Sequence, residues 1–177
     1  MMNVHATLSP NVSRLVSRMI TVKSWFAVIA CLIMAVTFFF VVIFRYLFDA
    51  DLFAYEEWLL IICFWLYFMG SAIGTFEGSH VNADLLSYVI NDPKKAHIRA
   101  ILVTAIELIV TLALVYWAVL MLIDEISSYP RWRTTIALRI PFFVPRLAIL
   151  VGFGFMAFYS ALHLYARIRT GPEEATP

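Results

Sequence analysis

The chain has 177 residues, of which 63% are hydrophobic, 16% aromatic and 14% charged, with a formal net charge of +1. Soluble domains are typically ~45–50% apolar with about 25% charged residues, so this composition belongs to the membrane class. The near-neutral charge argues against a nucleic-acid role, and Cys31 and Cys63, set in apolar runs without metal-ligand spacing, read as small buried hydrophobes.

In chain order, residues 1–23 come first. Val12, Leu15, Val16, Met19 and Ile20 recur at helical spacing with Arg14 and Arg18 among them, which predicts a basic amphipathic helix on the membrane surface. A frayed tail is the bland alternative. The apolar run that follows is too long for the h-region of a cleavable signal peptide. A membrane-crossing helix needs about 20 mostly apolar residues. Four runs meet that length, at about 24–48, 52–76, 100–123 and 146–166, followed by a short polar tail at 167–177. The fold class expected is therefore an all-α integral membrane protein with four transmembrane helices.

Four spans put both termini on one side. That side would hold Arg14, Arg18, Lys23, Lys94, Lys95, Arg99, Arg167 and Arg169, against Arg45, Arg131, Arg133, Arg139 and Arg146 opposite. The excess of Lys and Arg predicts cytoplasmic termini.

Spans one and two form a tight hairpin. Asp49-Ala50-Asp51 reads as its tip, with Asp51 as N-cap of the second helix. Arg45 and Glu56 then lie at similar depth, which predicts an ion pair of Arg45 with Glu56 or Glu57, or a partner-facing role for one of the glutamates. Glu56 shares a helix face with Gly74, close to Gly70, and Gly70, Gly74 and Gly78 make two overlapping G-x-x-x-G steps. Glu56 is thus expected in a helix–helix contact, with Glu57 projecting about 100° away.

In the inner connection, "HVNADLLSYVI" is compatible with a short surface helix and "NDPKK" reads as a turn and a new helix start. Glu107 is the acidic residue deep in a span, either a proton carrier or ion-pathway ligand, or a structural carboxyl bonded to Ser160 or Tyr159. His163 has no second histidine in the spans, so a bis-histidine haem is not expected. The outer connection, 126–146, carries Pro130, Pro141 and Pro145 and cannot be one continuous helix. Its Arg131, Arg133 and Arg139 form a basic cluster on the side opposite the termini. No phosphate-binding, dinucleotide, zinc-protease or serine-hydrolase signature is present, so neither an enzyme nor a cofactor or metal is expected.

The ordered set "FRYLF", "YEEW", "FMGSAIGTFEGSHVNADLL" and "ALRIPFFVPRLAILVGF" resembles the small membrane subunit of tripartite ATP-independent periplasmic (TRAP) transporters. The resemblance covers nearly the whole chain and is most specific over residues 45–85. Its pattern falls on Arg45, Glu56, Glu57, Gly70, His80 and Asp84, while Glu107 and the outer arginines lie outside it. The resemblance implies a bacterial inner-membrane subunit that does not carry substrate. It implies two partners besides membrane lipid: a large membrane subunit on a separate chain and a periplasmic binding protein delivering an organic acid. The competing reading is a self-sufficient oligomeric proton-coupled exporter using Glu107.

Overall fold

A computed structural model of the chain describes residues 10–78 and 92–170. Its helices are α1 (Pro10–Leu47), α2 (Tyr55–Glu77), α3 (Pro93–Ser127) and α4 (Phe143–Arg169). Each holds a run long and apolar enough to cross a bilayer. Among the described residues, the extended pairing is one isolated bridge, Thr134 to Pro141.

The helix ends follow local chemistry. Pro10 opens α1, where its missing N–H costs nothing. The turn after α1 contains Asp49 at φ 46° and Ala54 at φ 51°, both left-handed. It is wider than a three-residue tip, so Ala54 rather than Asp51 occupies the N-cap of α2, with no side-chain cap. Gly78 ends α2 at φ 63°, its N–H directed to the carbonyls of Gly74 and Thr75. Its role is therefore a left-handed C-cap, which the G-x-x-x-G reading had not assigned to it. The start of α3 follows the sequence: the Asp92 carboxylate accepts the Lys94 N–H at 3.0 Å and Pro93 sits in the first turn. Pro145 falls in the first turn of α4, where no intrahelical bond is lost.

The N-terminal segment differs from expectation. Residues 10–23 continue without a break into the first span as one helix of 38 residues, about 57 Å long against a hydrocarbon core of ~30 Å. Part of its apolar stripe meets protein: Val16 is 0% exposed in a cluster with Ala72 of α2 and Tyr159 of α4, flanked by Ile20, Phe76 and Phe155, while Val12 and Leu15 stay exposed. The expected helix at 80–90, with His80 and Asp84, lies outside the described residues.

Helix α4 packs on both α2 and α3, and α1 leans on α2. Helices α2 and α4 approach closely at Gly152, where an added Cβ would fall 2.5 Å from the Phe68 Cβ. Thr37, Thr75, Thr104 and Thr111 return their hydroxyls to the carbonyls of Ile33, Ser71, Ala100 and Glu107. Their polar groups are thereby satisfied within each helix, as an apolar solvent demands.

Candidate functional site

Polar side chains concentrate in two places, the outer connection and the helix contacts within the membrane. The outer connection is a closed loop. Phe142 N–H donates to the Arg133 carbonyl at 3.0 Å and Thr135 N–H to the Ile140 carbonyl at 3.0 Å. Ile140 N–H donates to the Thr135 hydroxyl at 2.9 Å. Arg139, at φ 52°, turns the chain at the tip. The amides of Ala137 and Leu138 thereby point outwards together.

Glu57 fills that position. Its Oε1 accepts Ala137 N–H and its Oε2 accepts Leu138 N–H, both at 2.7 Å. One carboxylate at the start of α2 thus fastens the loop joining α3 to α4. Hydrogen bonds to an ionised acceptor are about twice as strong as neutral ones, so this clamp fixes the loop's position. A second fastening joins the ends of α3 and α4, where the Arg146 guanidinium pairs with Glu125, itself 2% exposed. Between them Trp132 stacks on Phe143, with ring centroids 6.1 Å apart, and meets Tyr129 edge-on.

Held this way, the loop presents Arg131, Arg133 and Arg139 to solvent, and Ile136 at its tip is 97% exposed. Arg45 and Glu56 are exposed at the adjoining hairpin. Among the described residues no ion pair joins Arg45 to Glu56 or Glu57, because both Glu57 oxygens are occupied by loop amides and Glu56 turns outwards. The two glutamates therefore exchange the roles expected of them within this chain: Glu57 makes the tertiary contact and Glu56 does not.

Within the membrane helices, Glu107 Oε1 accepts the Ser160 hydroxyl at 2.9 Å, joining α3 to α4. Of the two expected donors Ser160 is the one that bonds; Tyr159 instead accepts from the Lys23 ammonium at 2.6 Å. His163 Nε2 donates to the Phe76 carbonyl at 2.9 Å, joining α4 to α2. Gly70 meets no close neighbour, since a Cβ there would have nothing within 4 Å. Gly152 is tightly packed and was passed over by sequence reasoning, although Ala148 and Gly152 form a small-x-x-x-small step.

Lys23 was also missed. Its ammonium lies 3.3 Å from the centroid of Phe155 and 4.4 Å from that of Tyr159, with the side chain 6% exposed. An aromatic cage and a hydroxyl acceptor replace the water that a buried cation loses, the ring contacts contributing on the order of 2 kcal/mol when desolvated. The i, i+4 relation of Phe155 and Tyr159 was the available signal, but only tertiary packing brings Lys23 between them. No group of three or more His, Cys, Asp or Glu that could hold a metal occurs among the described residues.

A family model described as Tripartite ATP-independent periplasmic transporters, DctQ component, matches residues 34–170. No curated protein matches the chain. The match runs from the middle of α1 through α4 and takes in the outer hairpin, Glu57, the closed loop and Glu107. Proteins of this family are transporter components, each part of a complex with a large permease and a periplasmic binding protein. With four membrane-spanning helices and this match over most of its length, the chain belongs to the DctQ family, the small multi-pass inner-membrane component of TRAP transporters.

Proposed function

We propose that the chain is the non-substrate-carrying subunit of its transporter. It scaffolds the large permease subunit, a separate chain, for ion-gradient-driven uptake of an organic acid delivered by the binding protein. Both termini are cytoplasmic in this reading, so the closed loop faces the periplasm.

The observation that carries the reading is the use made of the polar groups within the membrane helices. Glu107 is bonded to Ser160, His163 to the Phe76 carbonyl and Lys23 to Tyr159, each joining one helix to another. Secondary transporters gather such groups around broken helices at a central site. Here they are distributed as fastenings. The exposed Glu56 and Arg45, with the open Gly70 face of α2, are the proposed contacts to the large subunit. Arg131, Arg133 and Arg139 around Ile136 are proposed to meet the binding protein, and that docking should weaken as salt rises.

Reconstitution tests this. The chain alone in vesicles should move no organic acid under a sodium or proton gradient. Uptake should appear with the large subunit and binding protein present and vanish when this chain is omitted. Glu107→Gln, which keeps a hydrogen-bond acceptor for Ser160, should support nearly normal uptake. Transport by the chain alone, or complete loss in an intact Glu107→Gln complex, would favour the exporter reading instead.

A further inference from the structure

Near its Pro10 end, α1 crosses α4 and leaves an apolar groove of about 450 Å³ between them. Leu15 and Met19 line one wall, and Val151, Gly154, Phe155 and Phe158 the other. A cleft of about 250 Å³ opens beside it, lined by Asn11, Arg14, Leu15 and Arg18, so Leu15 borders both. Asn11, Arg14 and Arg18 are three and four residues apart and share one face of α1. Among the described residues, no carboxylate pairs with either arginine.

We propose that this composite site binds one anionic phospholipid, its phosphate on Arg14, Arg18 and Asn11 and an acyl chain in the groove. The inference goes beyond the scaffold role and does not depend on it.

Three features fit this ligand together. Arg14 and Arg18 are both exposed on α1, one helical turn apart, so one phosphate can meet both guanidinium groups. The α4 wall from Val151 to Phe158 is about 10 Å long, enough for about half the length of an acyl chain. Gly154 leaves the floor open, because a Cβ there would meet nothing within 4 Å. An inorganic anion would use the basic cleft and leave the groove unfilled. A lipid uses both, and its negative charge complements the two arginines. Lys23, behind the Phe155 ring at 3.3 Å, adds a third positive charge near the same wall.

The full-length chain in a mild detergent, titrated with phosphatidylglycerol or phosphatidylcholine and read by native mass spectrometry, tests the site. One phosphatidylglycerol should bind at least about ten-fold more tightly than phosphatidylcholine, the scale expected of two basic groups beside an anionic headgroup. Arg14→Gln with Arg18→Gln should abolish that preference and leave phosphatidylcholine binding unchanged. Gly154→Leu, which fills the groove, should weaken both lipids by a similar factor. Glycerol 3-phosphate at millimolar concentration should not displace the lipid.

Equal binding of the two lipids by the native chain would overturn the proposal, as would a preference that survives the double substitution. Displacement by glycerol 3-phosphate would reduce the site to an anion cleft, and an unaffected Gly154→Leu variant would remove the groove from it. In the assembled transporter, a bifunctional cross-link from Gly154→Cys to the large subunit would identify the groove as a protein seam and likewise overturn it.

Discussion

Glu57 accepts two backbone N–H groups from the outer connection, while Glu56, one residue earlier, is exposed on α2. Adjacent positions on a helix diverge by about 100°, so a pair of identical residues is split by geometry into unequal environments. Sequence spacing identified that split but assigned the tertiary contact to Glu56, whereas Glu57 makes it. The acceptor sites for Glu57 are amides, and amides carry no residue-type signal. Glu57→Ala should leave Ala137 and Leu138 N–H without their acceptor and raise hydrogen exchange at those amides by roughly ten-fold or more, a local opening rather than global unfolding. Glu56→Ala should leave exchange there unchanged. If the two variants behaved alike, the clamp would not be what orders the loop. Lys23 illustrates the same limit: its charge was legible as a topological signal, whereas its aromatic cage arises from residues far along the chain.

At the scale of elements, α2 and α4 meet where Gly152 lets the Phe68 Cβ approach. Membrane helices gain no hydrophobic drive from packing together in lipid, so close van der Waals approach has to stabilise the contact. Gly152→Ala places a methyl where Phe68 already stands. Overpacking of this kind typically costs ~1–3 kcal/mol, so the variant should unfold at lower temperature in detergent, read by circular dichroism. Gly70→Ala adds a methyl into open space and should not lower the unfolding temperature of the isolated chain. Equal losses from both substitutions would contradict the packing described. The glycine spacing of α2 was visible in the sequence, but periodicity marks a face without naming its partner. Gly78 serves as a left-handed cap, Gly70 is open, and Gly152 on α4 is crowded. The helix starts were more legible, because the Asp92-Pro93 signal acts through its own backbone. The Asp51 cap failed because the turn before α2 continues to Ala54.

For the whole molecule, composition was sufficient to expect four apolar helices, since hydrocarbon thickness fixes a length that any sequence must meet. The path of the N-terminal segment was not legible in that way. An amphipathic stripe suits a membrane surface and a protein groove equally, and here Val16 and Ile20 pack with Ala72 and Tyr159 while Val12 and Leu15 stay exposed. The side on which the termini lie rests on charge: Lys94, Lys95, Arg167 and Arg169 share it with Arg14 and Arg18, opposite the loop clamped by Glu57. In a background with Cys31 and Cys63 replaced, single cysteines at His5 and Pro172 should resist an impermeant thiol reagent added to intact cells. Cysteines at Ser128 and Thr134, flanking Arg131 and Arg133 of the outer connection, should react. Permeabilising the inner membrane should expose the first pair without changing the second. Reaction at His5→Cys or Pro172→Cys in intact cells would invert the topology and move the proposed docking loop to the cytoplasm, beyond reach of a periplasmic partner.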